Sequence, residues 1–541
     1  MPPPTASVTR RPIRLIAGFF TVGGWTMASR LLGFVRDVML AAFLGTGPVA
    51  EAFLVAFSLP NMFRRFFAEG AFNTAFVPLF SKKLEVDDDP LDFAQDAFSG
   101  LASVLIVFTL LALLFMPALV LAMASGFAGD VRFELAVDFG RIAFVYILFI
   151  SLAALLSGVL NATGRFAAAA AAPVLLNITL VAVLLVADRG WLSSIAVEVS
   201  HPNGAEGLPL HYGTLLSVGV VIAGIAQMTL VWIAAARAGY ALRPRWPRLT
   251  PDIKKLAAIA FPAMLAGGVV QVNLLVGRQV GSFFDGAIAW LSYADRLYQL
   301  PLGVVGIAIG IVLLPDLSRR LGAGDAEGGR YAFSRAGEVA LALTIPAAVA
   351  LVVIPVPLIS VLFQRGAFGA DDTAATALAL AVYGLGLPAF VLQKVFQPIY
   401  FAREDTRTPF RYALVAMAVN AVVAVGLSFV IGFIGAAIAT SVAAWVMVGL
   451  LSRGRRSLGE VAQFDARFRT RIWRIIAASA AMGIVLIVLE LLLGPFLGPS
   501  SPQRYFALAL LVVLGMGSYA AFARLFGAFR VSDFRAAMRR G

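Results

Sequence analysis

Positive side chains stand where hydrocarbon is expected. The stretch Ser29-Arg30-Leu31-Leu32-Gly33-Phe34-Val35-Arg36-Asp37 places two arginines inside an apolar run. A second run carries Asn61, Arg64, Arg65 and Glu69, a third carries Arg278, and a fourth carries Tyr293-Ala294-Asp295-Arg296. A guanidinium offers a rigid fork of N–H donors that fits the oxygens of a phosphate in pairs. Asp37, Glu69 and Asp295 can neutralise individual arginines as internal ion pairs, and that structural role is the alternative for each one. Taken together the cations outnumber these acids, which favours a wet, positive cavity that receives an anionic, phosphorylated substrate. An arginine facing lipid at mid-depth costs roughly 2.5–3.5 kcal/mol, so Arg30, Arg36, Arg278 and Arg296 are expected to face that cavity or a paired interior. Other chemistry is poorly supplied. The chain has no cysteine and two histidines, His201 and His211, which fall in one polar loop. No metal site and no cofactor are expected, and Asp87-Asp88-Asp89 and Glu404-Asp405 read as solvated acidic turns.

These residues must be positioned by membrane helices. Of 541 residues, 60% are apolar and 13% charged, with a mean hydropathy of +0.89. Ordinary soluble domains carry about 45–50% and about 25%, so a chain this poor in charge cannot coat a set of soluble domains. Fourteen apolar runs recur, near 15–44, 49–70, 94–124, 136–160, 166–187, 212–236, 253–283, 287–316, 333–363, 373–402, 409–431, 433–451, 473–495 and 504–527. Each is long enough to cross a hydrocarbon layer of about 30 Å, and none alternates as barrel strands do. The fold expected is therefore an all-α polytopic membrane protein of about 14 transmembrane helices. Thirty-one basic residues lie in the loops and tails of one side and four, Arg132, Arg189, Arg365 and Arg504, on the other. That asymmetry places both termini in the cytoplasm. It also accounts for the net charge of +13 without nucleic acid. No cleavable signal peptide is expected.

An internal echo divides the chain. Pro78-Leu79-Phe80-Ser81-Lys82-Lys83-Leu84 is matched by Pro315-Asp316-Leu317-Ser318-Arg319-Arg320-Leu321, and Asn161-Ala162-Thr163-Gly164-Arg165 by the segment Phe401–Arg407. Two six-span repeats of like orientation follow, with two spans left over. The expected organisation is a cytoplasmic tail over 1–14, an N-lobe over 15–240, a C-lobe over 241–455, and spans 13 and 14 with a cytoplasmic tail over 456–541. Gly33, Pro60, Pro262 and Pro301 are candidate helix interruptions and hinges.

The run Ser29–Asp37, the segment Leu59–Phe72 with its Asn61-Met62-Phe63-Arg64-Arg65 core, Tyr293–Leu297, Leu362–Phe368 and Asp405–Pro409 closely resemble the MurJ (MviN) family of lipid II flippases. The resemblance extends over nearly the whole chain. It implies the multidrug/oligosaccharidyl-lipid/polysaccharide exporter fold, two six-helix lobes around a central cationic cavity plus two C-terminal helices forming a lipid groove. It implies transport of the undecaprenyl-pyrophosphate-linked peptidoglycan precursor, lipid II, from the inner to the outer leaflet of the bacterial cytoplasmic membrane, serving cell-wall biogenesis and cell shape. Arg30, Arg36, Arg64 and Arg296 then match the family's essential arginines and Asp37 and Glu69 its acids. Glu51 stands where an aspartate is common, and Arg65, Asn61, Asp295 and Arg278 are the remaining site candidates. Some relatives hold sodium in the second lobe; the eleventh and twelfth spans here carry no carboxylate, only groups such as Asn420 and Thr440. The partners implied are lipid II, membrane lipids and cell-wall synthesis proteins, with the chain acting as a monomer.

Alternating access follows as the expected mechanism, with Arg30, Arg36 and Arg296 as the anion clamp and no covalent chemistry. The rival readings are an oligosaccharide-lipid flippase for another surface polysaccharide, a multidrug/cation antiporter of the same fold, a membrane scaffold, and an enzyme acting on lipid-linked sugar. The arginine excess opposes the antiporter, and arginines at mid-membrane are costly in a scaffold.

Overall fold

A computed structural model describes residues 15–65, 71–86, 88–196 and 207–528. These residues are helical: α1 (Leu15–Leu44), α2 (Pro48–Arg64), α3 (Ala71–Val86), α4 (Pro90–Leu114), α5 (Met116–Met123), α6 (Val131–Ala143), α7 (Tyr146–Ala162), α8 (Ala167–Asp188), α9 (Leu210–Arg237), α10 (Pro251–Gly281), α11 (Ala287–Gly322), α12 (Ala326–Val353), α13 (Pro355–Phe363), α14 (Ala370–Phe401), α15 (Arg407–Ile431), α16 (Ile434–Gly454), α17 (Ala466–Leu497) and α18 (Arg504–Leu525). Among the described residues, each of the fourteen apolar runs falls on a helix or on two consecutive helices. Among the described residues nine helices are long and apolar enough to span a bilayer, or ten with the α6–α7 pair, which bends by 41°. The boundary between the eleventh and twelfth runs is a sharp one. Gly432, at φ +69°, ends α15, and α16 begins two residues later.

Two expectations are corrected here. His211 is not in a loop but in the first turn of α9, half-buried with its ring 4.5 Å from that of Tyr212; His201 lies outside the described residues. The candidate interruptions do not end helices, for α1 runs through Gly33, α2 through Pro60, α10 through position 262 and α11 through Pro301. A proline removes one N–H and crowds the carbonyl four residues back, which weakens a helix locally without having to terminate it when neighbouring groups satisfy the backbone. The breaks lie elsewhere, at Phe115, at Phe144–Val145 and at Ile354.

The residues divide by packing into two units, 1–39, 55–120 and 134–268 in the first, and 40–54, 121–133 and 269–541 in the second. In the first unit α7 and α8 pack on α9. Small residues permit the approach: Gly213 lies against the Phe139 ring, Gly219 against Val183 and Gly224 against Tyr146. A polar tie crosses the same interface, with Tyr146 Oη donating to Gln227 Oε1 (3.1 Å) and Gln227 Nε2 donating to the Ala172 carbonyl (2.9 Å). In apolar surroundings such bonds fix which faces meet.

In the second unit α11, α12, α14 and α16 share a core, and α17 packs on α12 and α18. The Phe333 and Phe464 rings stack at 4.6 Å and Phe464 and Phe468 at 3.7 Å. The Arg455 guanidinium lies 4.7 Å from the Phe464 centroid, so its charge is balanced by ring faces as well as by the Ala462 carbonyl. The turns after α7 and α14 are built alike. Gly164 (φ +76°) and Glu404 (φ +60°) are left-handed, and the next residue in each donates five residues back, Arg165 to Leu160 (2.9 Å) and Asp405 to Tyr400 (3.1 Å). Asp405 then accepts from the Thr408 N–H (2.9 Å), which holds its carboxyl below the usual aspartate range.

Candidate functional site

In the first unit the cationic constellation centres on α1. Arg36 and Asp37 are each only 7% exposed. Arg36 donates through Nε (2.9 Å) and Nη2 (2.7 Å) to Asp37 Oδ1 and through Nη1 (3.0 Å) to Asn177 Oδ1. Asn177, on α8, returns its amide to the Ser29 carbonyl at 2.9 Å. A Cβ at Gly33 would meet the Asn177 side chain at 3.5 Å, ordinary contact distance, so this approach does not depend on glycine. In an unbroken α1, Arg36 points away from Arg30. The helix is continuous, and Arg36 is instead fixed by its neighbouring acid and an amide from α8. Three of its five donors are engaged in this way. The ion pair weighed as the structural alternative therefore holds for Arg36.

Arg30 is half-buried on the same helix, Arg64 half-buried and Arg65 exposed at the end of α2. Asn61 turns its amide back to the Phe57 carbonyl (2.8 Å). Glu69 lies outside the described residues. The other candidates belong to the second unit. Arg296 is exposed on α11, Asp295 is half-buried and accepts from Gln299 Nε2, and Arg278 approaches Met123 Sδ at 3.9 Å.

The second unit holds a further charged cluster. Glu51 is 1% exposed and Arg132 6%. Arg132 Nη1 donates to Glu51 Oε2 (2.9 Å), and its Nη2 pairs with Asp130 (2.6 Å) and Asp285 (2.8 Å). The Phe127 ring lies 4.6 Å from the guanidinium. The second oxygen of Glu51 accepts from the Ile288 N–H (2.9 Å), so the carboxylate caps the start of α11, where unsatisfied N–H groups and the helix dipole favour an anion. Alongside, Asp372 accepts from Thr46 Oγ1 (2.5 Å) and Trp290 Nε1 (2.9 Å). Tyr293 Oη donates to the Gly45 carbonyl (3.0 Å), and the Ala367 N–H donates to the Ala42 carbonyl (2.8 Å). The Leu362–Phe368 motif thus meets the chain at the end of α1 through a backbone N–H, and Tyr293 meets it through its hydroxyl. Gly45 (φ +60°) and Gly366 (φ +57°) are required there, since a Cβ would fall 2.5 Å from the Ala367 oxygen or 2.1 Å from the Ala42 oxygen.

Sequence reasoning missed Asn177, Arg132, Asp130, Asp285 and Asp372 as members of these sites. Asn177 gives no signal of its own, because its role depends on which helix α8 packs against. Arg132 did carry a signal. It is one of four cations on the side that membrane topology keeps free of them, and such a charge needs a local reason.

Among the described residues no three acids or histidines converge as metal ligands would. What the arrangement offers is cations on helices tied by polar contacts. The model of the lipid II flippase MurJ family matches residues 40–508. A probable lipid II flippase MurJ of Rhizobium meliloti (strain 1021) is 44% identical over 533 residues, 97% of each chain, and one of Rhizobium tropici is 42% identical over 537 residues, again 97% of each. Among solved structures, the fold is similar to that of a lipid II flippase MurJ in an inward closed conformation, with a TM-score of 0.75 at 24% identity over 93% of this chain and 98% of that one. It is also similar to an inward-facing multidrug resistance MATE transporter of the MOP superfamily, with a TM-score of 0.59 at 14% identity over 80% and 95%. By its helical fold and by these chain-long matches, the protein belongs to the lipid II flippase MurJ family of multi-pass membrane proteins.

Proposed function

We propose that this chain is a transporter, not an enzyme, that flips lipid II from the inner to the outer leaflet of the bacterial cytoplasmic membrane by alternating access. The observation that carries the reading is the 42–44% identity to probable lipid II flippases over 97% of the chain. Arg30, Arg64 and Arg296 are the groups that contact the pyrophosphate. Arg36 adds its remaining donors from a guanidinium pre-oriented by Asp37 and Asn177, which lowers the cost of ordering it on binding. Asn61, Arg65 and Glu69 support the same head group. Arg278 and Asp295 are secondary, and Gly33, Pro60, Pro262 and Pro301 are points of give in continuous helices. Both termini are cytoplasmic, as the thirty-one to four distribution of basic loop residues supports. The chain acts as a monomer, with cell-wall synthesis proteins as neighbours.

The membrane potential supplies a direction, since moving one charge through 100 mV is worth about 2.3 kcal/mol. With the interior negative, the anionic head is driven outward and the emptied cationic site is drawn back. In sealed vesicles containing the protein, collapsing the potential is expected to slow lipid II translocation several-fold; an unchanged rate rejects this coupling. Purified lipid II should outcompete polyprenyl-pyrophosphate carriers of other oligosaccharides. Equal competition would favour the broader polysaccharide-lipid reading.

A further inference from the structure

The chain has five lysines against thirty-eight arginines, and four of the five, Lys82, Lys83, Lys254 and Lys255, stand at one place, the end of α3 and the start of α10 in the first unit. A cavity of about 220 Å³ opens there, walled by Lys82, Lys83 and Lys255, by Asp88 and Asp252, and by the apolar side chain of Phe93. Lys83 is the fixed member. Its side chain is 16% exposed, its ammonium bridges Asp88 (2.8 Å) and Asp252 (2.9 Å), and it lies 5.8 Å from the Phe93 centroid. Lys82 and Lys255 are exposed and leave the walls with a net positive charge.

The neighbouring linker, residues 238–250, is held in one shape beside this cavity. Arg245 pairs with Asp92 (2.6 Å) and Asp96 (2.5 Å), and its N–H donates to Ser99 Oγ (3.1 Å). Gln95 donates to the Arg243 carbonyl (2.9 Å). With Arg245 turned inward, Trp246 is 90% exposed and Leu249 79%, flanked by exposed Arg243 and Arg248. An indole and a leucine offered to water beside cations, at the basic edge of two spans, fit the headgroup region of a membrane better than bulk solvent.

We propose that this edge of the first unit is a binding site for an anionic phospholipid. The headgroup phosphate enters the cavity against Lys82 and Lys255, and Trp246 and Leu249 seat in the interface beside it. The site lies on the membrane face that carries most of the basic residues. It uses none of the residues assigned to the transported lipid, so it stands whether or not the transport reading does. The same phosphate chemistry could come from a soluble anion; the apolar side chains of Phe93, Trp246 and Leu249 favour the lipid.

The test is the affinity of the delipidated full-length protein, in neutral detergent, for dioleoylphosphatidylglycerol, dioleoylphosphatidylcholine and inorganic phosphate, read by native mass spectrometry. Phosphatidylglycerol is expected to bind in preference to phosphatidylcholine, and millimolar phosphate is expected not to displace it. A lysine near an anionic headgroup is worth about 1 kcal/mol, so Lys82→Gln and Lys255→Gln should each weaken phosphatidylglycerol binding about fivefold. Lys254→Gln removes the same charge from the same membrane edge without lining the cavity, and should change the affinity by less than about twofold. The melting temperature of each variant in phosphatidylcholine serves as the folding control. The proposal is overturned by equal binding of the two lipids, by displacement with phosphate, or by a Lys254→Gln effect as large as that of Lys255→Gln, which would mean a diffuse field and no site.

Discussion

At the scale of single residues, Arg36 is 7% exposed and held by three hydrogen bonds. Arg36 and Asp37 are adjacent, and adjacency on a helix does not ordinarily bring side chains face to face. They meet because Asn177 arrives from α8 and fixes the third donor of the guanidinium. Asn177→Ala should therefore remove one hydrogen bond to a charged group and one to the Ser29 carbonyl. The expected loss is about 1.5–3 kcal/mol, seen as a lowered melting temperature in detergent; an unchanged melting temperature would mean that this amide does not hold Arg36. Glu51 and Arg132 allow a cleaner measurement. Removing one partner of a buried ion pair typically costs about 3–5 kcal/mol because the other charge is stranded. Arg132 also touches Asp130 and Asp285, so its own loss is partly shared. A double-mutant cycle of Glu51→Gln and Arg132→Gln is expected to give a coupling energy above about 1 kcal/mol. Additive effects would show that the two side chains are not partners.

At the scale of elements, the apolar runs located the helices well, because the need to span hydrocarbon leaves a signal some twenty residues long. Helix breaks were less legible. Gly33 reads as an interruption in the sequence, yet α1 runs through it unbroken. Gly45 and Gly366 drew no notice among 50 glycines, yet the backbone conformation and surroundings of each exclude a side chain. Substitution should separate the two kinds. Gly366→Ala combines a left-handed φ with a collision against the Ala42 carbonyl oxygen, and should cost more than about 2 kcal/mol. Gly33→Ala meets only a side chain at contact distance and should stay within about 1 kcal/mol of wild type. Thermal unfolding of both variants decides it, and equal melting temperatures would remove the distinction drawn here.

At the scale of the whole molecule, composition settled the fold class and charge asymmetry suggested sidedness, since both are sums over many residues. Motifs in order along the chain pointed to the family that the chain-long matches then showed. The cluster around Arg132 was not legible in the same way, because it joins residues 51, 130, 132 and 285 and no local pattern links positions so far apart. The central claim is that guanidinium groups at membrane depth bind the anionic head of a transported lipid. Its most direct test is lipid II translocation in proteoliposomes containing wild type, Arg30→Ala or Arg296→Ala protein, with insertion and melting temperature measured on the same samples. The account predicts that both variants insert and fold but lose translocation by at least about tenfold, the loss expected for one charge-assisted contact worth about 1.5–3 kcal/mol. Wild-type translocation by a folded Arg30→Ala or Arg296→Ala protein would contradict it.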